Sequence, residues 1–296
     1  MAASWLMGKT LSERLRADAA ERSTRFAASV GRPPALVSLL VGDDAASAAY
    51  QRSKGVAAAK AGIAYRAERL AADATTADVV AAVQALNADA AVDGILVEMP
   101  LPRGCDTAAV QAAIDPLRDV DAVTPANLGR LICGMPGPQP ATPRAVMALL
   151  ADAGIALAGA QAVVVGRSKT VGLPVALLLL QADATVSICH SRSRDVAAVA
   201  RTADVLVVAV GRPALIGPDA VKPGAVVVDV GTNWVDDGDG GRMVGDVDTA
   251  AVADVAGWLT PVPGGVGPVT TACVLVATLE LAEHRAGTAP ASPQAR

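Results

Sequence analysis

The stretch VVVGRSKTVGLP, residues Val163–Pro174, joins an apolar strand to a helix and decides the fold of the chain. Gly166 and Gly172 let the backbone approach a ligand, and the N-terminus of the following helix offers N–H groups to a phosphate. The spacing is G-x-S-x-x-x-G and not the G-x-G-x-x-G of a dinucleotide fingerprint. An ordinary strand–helix turn is therefore the alternative interpretation of this stretch alone.

Strands and helices alternate on both sides of this turn. Downstream, the pattern predicts strands in ATVSICH, DVLVVAVG and AVVVDVG, with helices over 171–181 and 195–203. Upstream, it predicts strands in ALVSLLVG, IAYRAERL and VDGILVEM, with helices over 11–30, 45–61 and 78–86. Such β-α-β order is typical of parallel sheets covered by helices, so the fold class is α/β.

A proline- and glycine-rich segment, LICGMPGPQPATP (131–143), separates the two patterns. It predicts two α/β domains flanking a cleft, the second with a Rossmann-type doubly wound sheet. We expect a first domain over 1–138, a second over 139–270, a C-terminal helix over 271–286 that packs back on the first domain, and a disordered tail over 287–296.

Composition excludes several classes of protein. The 296 residues carry a net charge of −4 with a pI near 5.2 and only 2% aromatics, which argues against nucleic-acid binding. Four scattered cysteines without a C-x-x-C pair and two histidines predict no zinc site and a reduced, cytoplasmic setting. The N-terminus has no apolar span that predicts a signal peptide or a membrane helix.

The segment CHSRSRD, after the second strand of the downstream unit, is rich in hydrogen-bond donors. In a doubly wound fold the end of this strand faces the adenosine ribose, where an acidic residue suits a free 2′-hydroxyl. Here Ser191, Arg192 and Arg194 stand instead, with Arg167 in the preceding turn. This composition favours NADP, and the alternative is a solvated basic loop.

Three other motifs have an ordinary structural explanation when taken singly. Tyr50 and Lys54 lie four residues apart in a predicted helix, as in many surface pairs. Asp119 and Asp121 in RDVDAV are typical of turn or capping aspartates. The run PVPGGVGP (261–268) is either a plain loop or a backbone segment that closes over a flat ligand.

Together the motifs SAAYQRSK, GILVEMPLP, DVDAV, GRSKTVGLP, CHSRS, KPGAVVVDVGTN, GDVD and TPVPGGVGPVT, in this order, resemble the bifunctional methylenetetrahydrofolate dehydrogenase/methenyltetrahydrofolate cyclohydrolase family. The resemblance runs from about Lys9 to Glu280. It implies an NADP-dependent enzyme of one-carbon metabolism acting on tetrahydrofolate derivatives, and a homodimer formed through the nucleotide-binding domain.

The resemblance also implies roles for individual residues. Tyr50 and Lys54 match the catalytic tyrosine and lysine, and Asp121 matches the carboxylate that holds the pterin ring. The remaining matches are a cofactor set and a folate-loop set: Gly166, Arg167, Ser168, Gly172, Ser191, Arg192 and Thr232 for the cofactor, and Pro263, Gly264 and Gly265 for the loop over the folate.

The chain departs from the family pattern at several positions. Thr232 stands where isoleucine is usual, Ala122-Val123 where Gly-Phe or Gly-Leu is usual, and Ala141 in place of a cysteine. Ala145 replaces a common glycine, and Ala277 replaces an asparagine.

Glu98 stands where the family has glutamine, and this departure touches the chemistry most directly. Because strands deliver their C-terminal ends to the ligand crevice, we expect Glu98 to face it near Lys54. A carboxylate there is expected to hold Lys54 as an ammonium, which weakens the cyclohydrolase while the dehydrogenase survives. Alternatively, Glu98 itself takes over proton transfer. Further alternatives are a monofunctional dehydrogenase, a non-catalytic folate or nucleotide binder, and a shikimate-type dehydrogenase.

Overall fold

The computed structural model describes residues 3–236, 238 and 241–288, apart from the side chains of residues 45 and 46. It divides into two compact units. The six-stranded unit comprises the described residues of Met1–Ser12 and Thr142–Thr270, and the three-stranded unit those of Glu13–Ala141 and Thr271–Arg296. Each unit is an α/β structure with a parallel sheet, as the sequence pattern predicts.

The elements follow in chain order. The strands are β1 Ser4–Trp5, β2 Ala35–Val41, β3 Ala64–Leu70, β4 Gly94–Val97, β5 Gln161–Val165, β6 Thr185–Cys189, β7 Val205–Val208, β8 Val226–Asp229, β9 Asn233–Val235, β10 Arg242–Val244 and β11 Trp258–Leu259. The helices are α1 Gly8–Val30, α2 Ala45–Lys60, α3 Thr76–Ala88, α4 Thr107–Ala113, α5 Pro125–Ile132, α6 Ala141–Asp152, α7 Gly172–Gln181, α8 Val196–Ala200, α9 Thr249–Val252 and α10 Val266–Ala286, with a 3-10 turn at Pro218–Ala220.

The sheet of the three-stranded unit has the order β3-β2-β4, and all pairings are parallel. The central strand β2 is apolar apart from Ser38, as is typical of a strand with both faces covered. Val37, Leu39 and Ile95 pack on Val79 and Val83 of α3, which forms the core of this unit. Thr75 caps α3 through a capping box with Asp78.

The sheet of the six-stranded unit has the order β1-β11-β8-β7-β5-β6, and every pairing in it is parallel. From β5 the chain first adds β6 on one side and then β7 and β8 on the other, which is the reversal that creates a ligand crevice at the C-terminal ends. Val163, Val165, Leu206 and Val227 lie in its core. The doubly wound, Rossmann-type sheet is therefore present.

The structural boundaries differ from the expected ones in two respects. Residues up to Ser12, expected in the first domain, belong to the six-stranded unit because β1 pairs with β11. The later boundary falls at Ala141–Thr142, within α6, instead of at 138–139. Residues from Thr271 onward are grouped with the three-stranded unit, where Glu283 of α10 forms a 2.7 Å ion pair with Arg22 of α1.

The predicted elements with a clear apolar period are present, with ends that shift by a few residues. Helices α1 and α10 begin earlier than expected, at Gly8 and Val266, so that they include glycine-containing segments that were predicted to lie outside them. The short elements β1, β11, α4, α5 and α9 and the β9–β10 hairpin were not predicted. Of the predicted disordered tail, residues 289–296 lie outside the described part of the chain.

Among the described residues, α10 is long and apolar enough by composition to cross a membrane. In the folded chain, 72% of its apolar window is buried. Core helices of soluble proteins show the same combination, and burial within the protein accounts for the apolar character of α10.

Candidate active site and nucleotide site

The predicted catalytic residues of the three-stranded unit come from α2 and from the end of β4. Asp44 caps α2 by accepting the N–H of Ser47 at 2.7 Å, and Tyr50 and Lys54 follow one turn apart on this helix. Glu98 is the first residue after β4, where the strand opens into the turn that contains Pro100. Tyr50 is 42% exposed and available to a ligand, while Glu98 is buried.

Lys54 and Glu98 form a two-pronged ion pair. The ammonium Nζ lies 2.8 Å from Oε1 and 2.6 Å from Oε2 of the carboxylate. The side chains are 14% and 7% exposed, so solvent screens this pair less than it would a surface pair. Removing either partner would leave a buried charge unpaired, which is strongly unfavourable. The expected placement of Glu98 beside Lys54 is confirmed.

Two residues that the sequence analysis missed complete the support of Glu98. Ser38, fully buried on β2, donates its hydroxyl to Glu98 Oε1 at 2.6 Å. Gln51 of α2 in turn donates to the Ser38 carbonyl at 2.9 Å. The available signal was Ser38 itself, because it is the polar residue inside the apolar strand ALVSLLV. A hydroxyl and an ammonium thus fix the carboxylate from two elements.

The two aspartates of DVD have different environments. Asp119 is fully buried and accepts the N–H groups of Val123 and Thr124 and the amide of Asn127, so it caps the turn before α5. Asp121 is half-buried, and its Oδ1 accepts the N–H of Ala141 at 3.0 Å. The ordinary capping explanation therefore holds for Asp119, and the expected role of Asp121 in holding the pterin stays a prediction.

The pKa of Asp121 is raised to about 7, chiefly by burial and also by the negative charges of Asp119 and Glu98. The Ala141 N–H and Lys54 act in the opposite direction and lower it. Ala122, between Asp121 and Val123, has a φ of 47°, in the left-handed region that favours glycine. The backbone conformation therefore explains why glycine is usual at this position, and alanine adopts it at a steric cost.

In the six-stranded unit, the turn after β5 is shaped by close backbone contacts. A Cβ on Gly166, whose φ is +133°, would lie 2.2 Å from the Ala209 carbonyl oxygen. A Cβ on Gly172 would lie 2.4 Å from the Gly166 carbonyl oxygen. The G-x-S-x-x-x-G spacing therefore lets the first turn of α7 pack directly on the strand–helix turn, which distinguishes it from an ordinary connection.

Ser168 closes the N-terminus of α7. Its Oγ accepts the N–H groups of Val171 and Gly172, each at 3.1 Å. The expectation that this helix end presents free N–H groups is thus wrong for these two donors, because Ser168 already satisfies them. Arg167, in contrast, is exposed at the edge of the turn.

The predicted ribose-facing residues lie next to this turn. The N–H of Gly166 donates to the carbonyl of Cys189, which is the last residue of β6. Ser191 and Arg192 follow in a tight turn and are exposed, so their side chains are available to an anionic group. The structure therefore brings Gly166, Arg167 and the end of β6 to one edge of the sheet.

The Pro-Gly-Gly loop has a structural partner that the sequence analysis missed. Gly264 has a φ of +112°, and its carbonyl accepts the N–H of Gly8 at 2.9 Å. A Cβ on Gly8 would lie 1.9 Å from the Gly265 carbonyl oxygen. This contact requires a glycine at position 8, and Pro263 precedes the two glycines of the loop. Thr232 lies three residues after the end of β8 and directly before Asn233.

The fold and these sites define a class: an α/β protein with a Rossmann-type dinucleotide sheet in one unit and a lysine–carboxylate site in the other. Two family models match the chain. Residues 6–121 match the catalytic domain of tetrahydrofolate dehydrogenase/cyclohydrolase, and residues 140–286 match its NAD(P)-binding domain. The chain belongs to the tetrahydrofolate dehydrogenase/cyclohydrolase family.

Individual relatives agree with this assignment. The chain is 51% identical to the bifunctional protein FolD of Sorangium cellulosum, over 96% of this chain and 99% of that protein. The crystal structure of FolD from Campylobacter jejuni matches with a TM-score of 0.91 at 40% identity, over 96% of this chain and 100% of that one. FolD from Trypanosoma brucei, solved with NADP and an inhibitor, matches with a TM-score of 0.93 at 35% identity, over 97% and 99% of the two chains.

The raised pKa of Asp121 predicts a pH dependence of folate binding. The ionised carboxylate can accept two N–H donors from a pterin, whereas the protonated group cannot. Because the pKa is about 7, we expect folate affinity to be highest above pH 7 and to fall by about tenfold per pH unit below it. Calorimetric titration with a folate analogue from pH 5.5 to 8.5 measures this slope.

Asp121→Asn is the control for this experiment. We expect the variant to bind the analogue weakly, with little change over the same pH range, and to bind NADP as the wild type does. A steep loss of affinity at low pH that persists in Asp121→Asn would show that another group titrates.

Proposed function

We propose that this protein oxidises 5,10-methylenetetrahydrofolate to the 5,10-methenyl compound with NADP and hydrolyses the latter to 10-formyltetrahydrofolate. The observation that carries the proposal is the buried Lys54–Glu98 pair with Asp121 and Tyr50 around it, in a chain whose two halves match the two domains of the family. The roles given below to Lys54, Glu98, Asp121 and Tyr50 are part of this proposal.

For the oxidation, the protein's main task is positioning. NADP, when held at the nucleotide edge, would supply the hydride acceptor for the bridging methylene carbon. Nitrogen lone pairs of the folate would stabilise the developing cation, so that no protein base is required. Asp121 accepts the pterin N–H donors, and the exposed ring of Tyr50 packs against or orients the folate. The loop Pro263–Gly265 is proposed to close over the folate.

The nucleotide edge of the six-stranded unit fits NADP. Gly166 and Gly172 leave the turn without side chains that would block a pyrophosphate. Arg167, Ser191 and Arg192 provide exposed donors for a 2′-phosphate, and Ser168 orders the turn through its two hydrogen bonds. Thr232 is proposed to lie beside the nicotinamide.

For the hydrolysis, a water molecule adds to the methenyl carbon and loses one proton. The bond from this carbon to N5 then breaks as the second proton of the adduct reaches N5, which leaves the formyl group on N10. Lys54 is the family's candidate for this transfer, but here it is paired through both oxygens of Glu98. Because both carboxylate oxygens lie within hydrogen-bond distance of Nζ, Glu98 competes with the attacking water for Lys54. We therefore propose that Glu98 slows hydrolysis relative to oxidation in this protein.

The chain also has a surface suited to a homodimer. Strand β6 is the edge strand of its sheet, and an edge strand has backbone N–H and C=O groups available for pairing. Ile188 on this strand is 41% exposed, and Leu180 at the end of α7 is 57% exposed. A second copy whose β6 pairs antiparallel to the first would cover both, and two-fold symmetry closes such an assembly.

We also propose a cytoplasmic location. None of the four cysteines, including the exposed Cys133, forms a disulfide, as expected in a reducing compartment.

The alternative function is that of a non-catalytic binder. Such a binder does not require a buried lysine–carboxylate pair, whose formation carries a desolvation cost.

The donors around the ribose site predict the cofactor preference. We expect the wild type to have a higher kcat/KM with NADP than with NAD. Arg167→Ala should lower the affinity for NADP by at least about tenfold, because a charged hydrogen bond contributes roughly 1.5–3 kcal/mol. NAD serves as the control within the same variant, since it lacks the 2′-phosphate. Equal efficiency of the wild type with both cofactors would contradict the assignment.

Substitution of Glu98 tests its role in hydrolysis. We expect Glu98→Gln to raise the rate of methenyl hydrolysis on the order of tenfold, because Lys54 loses its anionic partner and can accept a proton. NADPH formation should change little. Glu68→Gln, which removes a more exposed carboxylate that pairs with Arg66 in the same unit, is the control. A fall in hydrolysis with Glu98→Gln would instead identify Glu98 as the base.

A charged residue on the β6 edge tests the homodimer. We expect the wild type to sediment as a dimer and Ile188→Glu to sediment as a monomer, because the introduced carboxylate would be buried in the pairing surface. Ile132→Glu, at a 65% exposed isoleucine in the three-stranded unit, should leave the dimer intact. Analytical ultracentrifugation distinguishes these states, and a dimeric Ile188→Glu variant would exclude this surface.

A further inference from the structure

Two buried aspartates at the C-terminal edge of the six-stranded sheet have no part in the chemistry described above. Asp229 is the last residue of β8 and is 1% exposed, and Asp246 of the GDVD motif is 0% exposed. Buried carboxylates are costly unless several donors satisfy them. Their hydrogen bonds therefore show which parts of the chain they organise.

Asp246 accepts four hydrogen bonds from N–H groups. Oδ2 accepts the backbone N–H of Val210 at 2.6 Å and of Gly211 at 3.0 Å. Oδ1 accepts the backbone N–H of Arg212 at 2.8 Å and the side-chain amide of Asn233 at 2.8 Å. Both oxygens act as acceptors of two donors, which only a carboxylate can do. An asparagine would direct its own N–H₂ group against N–H donors.

Asp229 fixes Asp246 in turn. Its Oδ1 accepts the N–H groups of Gly231 and Asp246, and its Oδ2 accepts that of Val247, each at 2.9 Å. The contact leaves no space for side chains: a Cβ on Gly231 would lie 2.3 Å from Asp246 Cγ, and one on Gly245 would lie 1.8 Å from Asp229 Oδ2. The two carboxylates thus hold three segments together, namely 210–212, 231–233 and 245–247.

These segments lie at the ligand edge of the sheet. Residues 210–212 follow β7 and residues 231–233 follow β8, so both emerge at the C-terminal ends of parallel strands. Ala209, just before the first segment, donates to the Val165 carbonyl at 2.8 Å and leaves no room for a Cβ on Gly166 of the nucleotide turn. The clamped backbone therefore abuts the proposed phosphate site.

The strand order indicates which half of the cofactor this edge serves. In a doubly wound sheet the adenosine half lies over the first two strands, here β5 and β6, and the nicotinamide half lies across the crevice on the other side. Strands β7 and β8 occupy that other side. The segments held by Asp229 and Asp246 belong to the nicotinamide half. Thr232 lies between Gly231, which donates to Asp229, and Asn233, which donates to Asp246.

We propose that Asp246 is a positioning residue for the nicotinamide half of NADP: its carboxylate holds residues 210–212 and Asn233 in the arrangement that hydride transfer requires. The proposal rests on the proposed function, because it assumes that NADP binds at this edge. It assigns Asp246 an indirect role through the backbone, with no contact to the reacting atoms.

The test compares two ligands that share the adenosine half. We expect Asp246→Asn to lower kcat/KM for NADP in the dehydrogenase assay by about tenfold or more, while its affinity for 2′,5′-ADP stays within about twofold of wild type. Methenyl hydrolysis without NADP should also be unchanged, since it uses no nicotinamide. Asp204→Asn is the matched control, because Asp204 accepts the backbone N–H of Gln161 at 2.9 Å at the opposite edge of the same sheet.

The remaining outcomes each decide the matter. Unchanged NADP kinetics, or an equal loss of affinity for NADP and 2′,5′-ADP, would overturn the proposal, the second because it indicates a general loss of the domain. If Asp246→Asn does not fold, Asn233→Ala removes one of the four donors and should show a smaller change in the same direction; unaltered kinetics would then overturn the proposal. A wild type that forms no NADPH would refute the proposed function instead.

Discussion

The parallel arrangement of strands is the constraint on which both sites depend. Parallel strands bring all their C-terminal ends to one edge, so residues that are far apart in sequence become neighbours there. In the three-stranded unit this edge holds Glu98, directly after β4. In the six-stranded unit it holds Gly166 after β5, Ser191 after β6 and the Asp229–Asp246 pair after β8. The apolar strands form the cores, and the polar residues just beyond them form the sites.

Each unit also has to bury charge, and the two units do so differently. Glu98 has a cation within 3 Å and a serine hydroxyl as a second donor, so its charge is balanced by Lys54. Asp246 is satisfied by four N–H dipoles, three of them from the backbone. The first arrangement is an ion pair between two side chains, and the second fixes backbone geometry. This difference agrees with the roles that we propose, a catalytic site in one unit and a support for the cofactor in the other.

Much of the fold could be predicted from sequence because its core elements have a strong apolar period. This group contains the strands from β2 to β8. The turn after β5 and the position of Glu98 beside Lys54 could also be predicted, because the turn and Glu98 directly follow such strands. Short elements such as β1 and β11 could not be predicted, because two residues carry no period and their pairing depends on a partner more than 250 residues away. That pairing is also why the first residues belong to the six-stranded unit. Ser38 and Gly8 were missed for a related reason, since each is explained by a contact with a distant residue.

We propose that Glu98 makes hydrolysis slow relative to oxidation because it pairs with Lys54 through both carboxylate oxygens. The most direct measurement follows one reaction of the wild-type protein with methylenetetrahydrofolate and NADP, recording NADPH, the methenyl intermediate and the 10-formyl product together. If Glu98 slows hydrolysis in this way, NADPH appears first and the methenyl compound accumulates to an amount comparable with the NADPH formed. The formyl product then follows slowly. Formyl product that appears at the rate of NADPH, without accumulation of the intermediate, would contradict it.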